Sequence, residues 1–291
     1  MHYTNVKTIL SAKNGMNLYR GCSHGCIYCD SRSKVYNMQH SFEDIEIKSN
    51  AIELLEKALR GKRKKCMIGM GSMTDPYIPL EKEIQNTRKA LELICKYDFG
   101  ATLITKSASV LRDLDILKEI NKKTKCVIQM TLTTFDEKLC EIIEPNVSTT
   151  KERFEILKIL NKNNIPAVVW LTPVLPFIND TKENLAGILD YCVKAKVYGV
   201  ICFGMGVTLR EGNREYFYEK LDKFFPAIKE KYIKTYGNNY ILNSPDNKYL
   251  MNIFYKTCKQ HNIVCDNNEI FQYLNTFESK TIKENRQLDL F

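Results

Sequence analysis

Cys22, Cys26 and Cys29 fall in the run NLYRGCSHGCIYCD, residues 17–30, with the spacing C-x3-C-x2-C. Three thiolates this close together face one inorganic group from one short loop. A cluster of four irons held by three protein thiolates keeps one iron open, and an open iron chelates a small molecule. The alternative is a structural zinc ion completed by His24 or a distant cysteine. Structural zinc sites usually pair C-x2-C with a second ligand pair, and no such pair follows here.

The elements around this loop alternate. Residues Met16 to Arg20 read as a first strand, directly before the cysteines. Asn50 to Arg60 has helical apolar spacing and Cys66 to Met70 is a short apolar strand. Ile84 to Tyr97, Val110 to Ile120, Lys151 to Leu160 and Lys182 to Ala195 read as helices. Between them Ala101 to Thr105, Cys126 to Leu132, Ala167 to Leu171 and Gly199 to Phe203 read as strands. About six βα units of this kind argue for a parallel sheet with helices outside. Six suit a partial barrel better than a closed eight-stranded one, with a doubly wound open sheet as the competing topology. After Thr208 the alternation gives way to a long helix from Tyr216 to Tyr232 and another from Lys248 to Gln260.

Eleven cysteines, an odd number, in a chain whose first residues lack an export signal argue against a disulfide framework. The eight scattered ones read as small buried hydrophobes. With no long apolar run there is no membrane span, and the expectation is a cytoplasmic protein. A net charge of +9 suits an anionic partner such as nucleic acid, or a lysine-rich solvated surface. The densest basic run, Lys62-Arg63-Lys64-Lys65, reads as a solvated helix-to-strand turn. Nothing in the chain suggests a Ser-His-Asp hydrolase, a phosphate loop or a paired-carboxylate site.

The cysteine spacing, with aromatic Tyr28 just before the third cysteine, resembles the signature of the radical S-adenosylmethionine (SAM) superfamily. Neighbouring motifs are similar to those of its spore photoproduct lyase-like branch. They are Gly71-Ser72-Met73-Thr74-Asp75-Pro76-Tyr77, Thr105-Lys106-Ser107, Thr131-Leu132-Thr133-Thr134, Glu144-Pro145 with Arg153, and PVLPFIND at residues 173–180. The likeness runs from about Met16 to Gly206. It implies an α/β fold, a partial (β/α)6 radical SAM barrel with a C-terminal helical extension. The expected domains are the barrel with its cluster loop at 1–208, a mainly helical region packed on it at 209–278, and a flexible tail at 279–291.

The resemblance also implies the cofactors, a 4Fe-4S cluster held by Cys22, Cys26 and Cys29 and SAM chelated to its open iron. One electron, from a donor such as flavodoxin or ferredoxin, cleaves SAM to methionine and a 5′-deoxyadenosyl radical. Tyr28 joins the expected cofactor-binding set. Lys106, at a strand end, suits the SAM carboxylate, with Arg153 second. Thr74 and Asp75 suit the amino group, and Thr131 and Thr133 suit ribose or carboxylate oxygens. Val174 and the backbone from Phe203 to Met205 line the adenine. Each has an ordinary reading beside this one: surface charge, turn start or β-branched strand residue.

One departure bears on the reaction. Spore photoproduct lyases return a hydrogen atom from a cysteine near the GSMTDPY position, where this chain has Ser72 and Met73. An O–H bond is a poor hydrogen-atom donor beside S–H. Tyr77, Tyr19 and Cys202 are the substitutes on offer, and a different lesion or substrate is the expectation. The chain ends in Gln287-Leu288-Asp289-Leu290-Phe291, which is similar to the peptide by which bacterial DNA enzymes dock on the replication sliding clamp. The first reading is therefore a radical SAM enzyme acting on DNA. The others are a radical SAM enzyme of RNA, protein or peptide, and a non-catalytic DNA-binding module with a structural metal.

Overall fold

The structure is a computed structural model that describes residues 1–280, so the clamp-like peptide Gln287 to Phe291 lies outside the described residues. Six strands form one parallel sheet: β1 (Gly15–Met16), β2 (Met67–Met70), β3 (Gly100–Thr105), β4 (Cys126–Thr131), β5 (Ala167–Trp170) and β6 (Gly199–Ile201). Neighbours in the sheet are neighbours in sequence. Parallel crossovers are right-handed, so an order that never reverses puts every connecting helix on one face. A doubly wound sheet has a reversal point; this sheet has none and is an open partial barrel.

The helices Ala51–Gly61, Asn86–Lys96, Leu114–Lys123, Thr150–Lys162 and Lys182–Ala195 cover that face. The first shows why: Ala51, Leu55 and Leu59 recur at four-residue spacing and all are buried. Along the strands, Leu103, Ile128, Met130 and Val169 join this helix-side core. The alternate residues Val127, Val168 and Ile201 point the other way, onto Ile270 and Leu274 of the helix Asn267–Asn275. Both faces are covered, as a parallel sheet requires. That last helix is missed by the sequence reading, as is Glu137–Ile143.

Two sequence-based elements are divided. Gly15–Met16 pairs with β2, but Tyr19–Arg20 pairs with Ile47 and Glu46 in a separate three-stranded sheet that also holds His2–Thr4. Burial of the Tyr19 phenol against Glu81 holds the chain in that departure. The long helix expected from Tyr216 to Tyr232 is two helices, Asn213–Phe224 and Ile228–Tyr236. Pro226 between them has no amide hydrogen to continue the first, and Ala227 takes a left-handed φ of 66°.

These two helices position the site. Phe217, Leu221 and Tyr232 pack with Cys26, Ile27 and Tyr28 in a second core beneath the cysteine loop. An antiparallel ribbon of Gly206–Thr208 and Ile241–Asn243 flanks them.

Candidate active site

The C-terminal ends of the six strands and the cysteine loop enclose a cavity of about 530 Å³. Its wall follows the strand order: Cys22, Cys26 and Cys29 come after the edge strand β1, Lys106 after β3, and Trp170 and Phe203 at the ends of β5 and β6 at the far edge. This is the end of the sheet at which parallel α/β sites form.

Backbone bonds hold the loop from both sides. Gly21 has a φ of 85°, and a Cβ there would lie 2.5 Å from the Phe42 carbonyl oxygen. The Cys22 N–H donates to that same oxygen at 3.1 Å. On the other side Ile27 N–H donates to Ile143 O at 3.0 Å, and Asn146 N–H donates to His24 O at 3.1 Å.

The sulfur set fits a multi-iron group better than a single ion. Thiolates on one tetrahedral zinc lie about 3.8 Å apart, given zinc–sulfur bonds of about 2.3 Å. Among the described residues, the group of three metal-binding side chains with donor atoms all within 4.8 Å of one another is His2, His40 and Asp44, not the three cysteines. The cysteine sulfurs are spread more widely than one zinc ion requires. Burial, then the Asp75 charge, pushes the Cys22 thiol up to about 12. Burial raises Cys26 too, against the pull of the Lys106 ammonium. A cationic group is what turns such desolvated thiols into thiolates.

Beneath the loop lies a charge pair. Tyr28 donates its hydroxyl to Glu144, and Arg153 Nη2 donates to the other carboxylate oxygen. Arg153 Nη1 also donates to Thr131 O at 2.7 Å. Burial favours the neutral acid, but Arg153 and Lys106 outweigh it and hold Glu144 below its ordinary value. Arg153 is therefore a brace under the cavity, with no solvent exposure, and is absent from the cavity wall.

Asp75 joins β2 to β3. Its carboxylate accepts from Tyr77 N at 2.8 Å, Thr105 Oγ1 at 2.8 Å and Lys106 N at 2.7 Å, with His24 Nδ1 at 3.5 Å. A carboxylate has about four lone-pair sites, so these partners occupy it. Burial lowers His24 below its ordinary value, against the pull of Asp75. Gly71 permits the turn that brings Asp75 there: its φ is 98°, and a Cβ would meet Ile104 O at 2.2 Å. Burial works against the Lys106 ammonium, but the neighbouring Cys26 sulfur and Glu144 carboxylate leave its pKa raised. Lys106 makes no ion pair among the described residues and lies 5.8 Å from the Tyr28 ring centroid.

Of the residues expected from the sequence, Cys22, Cys26, Cys29, Tyr28, Asp75, Lys106, Thr131 and Phe203 line one cavity. Thr74, Thr133, Val174 and Met205 are buried beside it and off its wall. The Thr133 hydroxyl is buried without a partner. None of the hydrogen-donor candidates reaches the wall: Tyr77 bonds Asp113, Tyr19 bonds Glu81, and Cys202 is buried with its backbone bonded to Asn267. Two contributors were not singled out from the sequence. Trp170 lines the cavity, and its place at the end of a strand is the signal that marks it. Asn17 Oδ1 accepts from Met73 N and Thr74 N and so holds the GSMTDPY loop.

The pattern of the Radical SAM superfamily matches residues 16–192, well over half of the chain. The chain belongs to the radical SAM superfamily. The superfamily's cofactors, a 4Fe-4S cluster and SAM, come with that membership. An uncharacterized protein of Methanocaldococcus jannaschii is 33% identical over 61% of this chain and 66% of its own length. One of Mycobacterium bovis is 26% identical over 76% of this chain and again 66% of its own length, so the chain spans slightly under two thirds of these relatives. Among solved structures, a spore photoproduct lyase matches with a TM-score of 0.64 and 14% identity, over 88% of this chain and 77% of the lyase. The radical SAM methyltransferase TsrM of Kitasatospora setae matches at 0.55 and 11% identity, over 84% of this chain and 52% of its own. These likenesses are likenesses of fold. No helix among the described residues is long and apolar enough to cross a membrane.

Proposed function

We propose that this radical SAM enzyme acts on DNA, in lesion repair or base modification. Cys22, Cys26 and Cys29 hold the cluster, and their protons leave as it loads. A reduced cluster and SAM bound there would supply radical chemistry that removes a hydrogen atom from the substrate. Lys106 holds the SAM carboxylate. Glu144, Arg153 and Tyr28 keep the loop at fixed depth. Trp170 and Phe203 offer aromatic surface to the substrate at the far end.

The observation that carries the DNA reading is that far end. Phe203 is 62% exposed at the cavity, with its ring centroid 6.2 Å from Trp170 and 6.3 Å from Phe271. Nucleobases stack on such faces, and a base under attack must leave its duplex stack. The fold likeness to a spore photoproduct lyase described as complexed with dinucleoside spore photoproduct supports the same substrate class. So do the net charge of +9 and the clamp-like peptide Gln287 to Phe291, read from sequence alone. With Ser72 and Met73 on the wall and no donor candidate beside them, the substrate is a lesion other than the one those lyases reverse with a cysteine donor.

Anaerobic incubation with SAM, reductant and damaged DNA, followed by mass analysis of nucleosides, tests this. DNA should stimulate 5′-deoxyadenosine release and yield an altered nucleoside. Release that is indifferent to DNA but stimulated by RNA or a peptide would sink the reading.

A further inference from the structure

The three-stranded sheet behind the cysteine loop carries two histidines and two carboxylates that the radical chemistry leaves unused. His2 and Glu46 are direct partners across the strand pair, and His40 and Asp44 come from the strap that leads into Glu46–Lys48. The donor atoms of His2, His40 and Asp44 lie within 4.8 Å of one another. Glu46 Oε2 lies 3.4 Å from His40 Nε2 and 4.0 Å from His2 Nε2.

The hydrogen bonds fix which nitrogens are free. His40 Nδ1 faces the Ser41 carbonyl oxygen at 3.0 Å, and a carbonyl only accepts, so Nδ1 carries the proton. In a neutral ring Nε2 then holds a lone pair. That atom is buried and has no hydrogen-bond partner. His2 repeats the pattern: Nδ1 donates to Asp44 Oδ2 at 2.9 Å, leaving Nε2 turned towards Glu46. Asp44 Oδ1 is held by the Met1 amino group at 2.7 Å, so Asp44 orients His2 rather than being free itself. Glu46 Oε2 thus faces a nitrogen of each ring, a contact that either a proton on each ring or one shared metal cation satisfies. A ring nitrogen held by a carboxylate or carbonyl while the other is free is also how metal-binding histidines are oriented.

We propose that His2 Nε2, His40 Nε2 and Glu46 form a binding site for a divalent first-row metal such as zinc, with Asp44 and the Ser41 carbonyl setting the two rings. Imidazole and carboxylate donors suit such an ion. Tetrahedral zinc with bonds of about 2.0–2.1 Å puts its ligands about 3.3 Å apart. The His40–Glu46 separation already matches this, and His2 Nε2 lies 4.0 Å from the same carboxylate oxygen. The site ties the His2–Thr4 strand to the strap whose Phe42 carbonyl accepts the Cys22 N–H. It stands whatever the radical acts on.

The test is equilibrium dialysis of anaerobically purified, cluster-loaded enzyme against zinc, with metal analysis. One zinc per chain should be retained beside the cluster iron. His40→Gln and Glu46→Gln should each weaken its binding at least tenfold, while Cys26→Ser keeps it. Absence of bound zinc in the wild type would overturn the proposal. Zinc lost in Cys26→Ser but kept in His40→Gln would overturn it too, by placing the ion at the cysteine loop. Should a histidine variant fail to fold, the wild type decides alone: zinc must raise its melting midpoint by a few degrees, and no rise refutes the site.

Discussion

The Tyr28 hydroxyl donates to Glu144, a side chain with no solvent exposure. Arg153, equally buried, holds the other carboxylate oxygen. The aromatic residue ahead of the third cysteine is thereby anchored to a charge pair under the cavity floor. Removing one partner of such a pair leaves a buried uncompensated charge, at a cost of about 3–5 kcal/mol. Arg153→Leu and Glu144→Gln should each lower the unfolding free energy by roughly that amount. Tyr28→Phe removes one hydrogen bond to a charged group, worth about 1.5–3 kcal/mol. Chemical denaturation of the cluster-free protein measures all three. An Arg153→Leu loss below about 1 kcal/mol, the range of a surface pair, would show that the pair does not brace the loop.

Acid should undo the same brace. Burial opposes ionisation of Glu144, and the Arg153 and Lys106 cations overcome it, so its folded value lies below its ordinary one. A depressed carboxyl stabilises the fold at every pH above its unfolded value, about 4.3. That contribution disappears as pH falls from there through the folded value. Unfolding free energy of the wild type should therefore drop more steeply below about pH 4 than that of Glu144→Gln, which takes up no proton at this position. Parallel pH curves for the two proteins would contradict the assignment.

Lys106 separates binding of SAM from assembly of the cluster. Its ammonium lies on the cavity wall without an ion pair among the described residues. Lys106→Met should keep the iron content after anaerobic reconstitution. It should weaken SAM by about 10- to 150-fold, the value of a hydrogen bond to a charged group at about 1.5–3 kcal/mol. Anaerobic equilibrium dialysis with labelled SAM reads this directly. Unchanged affinity would remove Lys106 from the SAM site.

Much of this was legible because the signals are local. Cys126 to Leu132 is apolar except for Gln129 and Thr131, a pattern that suits a strand buried on both faces. The cysteine spacing is likewise contained in one loop. What was not legible depends on partners far along the chain. Arg153 sits on a helix where a charge ordinarily meets water, and only its pairing with Glu144 and Thr131 accounts for its burial. Asp75 reads as a turn residue until β3 is brought alongside and Thr105 and Lys106 claim its oxygens. Met16 to Arg20 reads as one strand because nothing within it announces that Tyr19 will pair with Ile47. The helix Asn267–Asn275 hides its purpose in the same way, since its apolar residues fit the far face of a sheet formed much earlier in the chain.

The aromatic end of the cavity makes the last prediction. Trp170 is the single tryptophan of the chain and lines the cavity. Single-stranded DNA seated there should quench its fluorescence, and titration gives an affinity. Phe203→Ala should weaken that affinity by about 5- to 150-fold, since stacking one base on an aromatic ring is worth about 1–3 kcal/mol. The basic run Lys62-Arg63-Lys64-Lys65 serves as the counter-test. It precedes β2, whereas the cavity residues Gly71, Ser72 and Met73 follow β2, so the run lies at the opposite end of the sheet. Replacing Lys62, Arg63 and Lys64 by glutamine should leave both the affinity and its dependence on salt unchanged. A larger loss from the basic run than from Phe203→Ala would place the nucleic acid at the wrong end of the barrel and refute the cavity as the base-binding site.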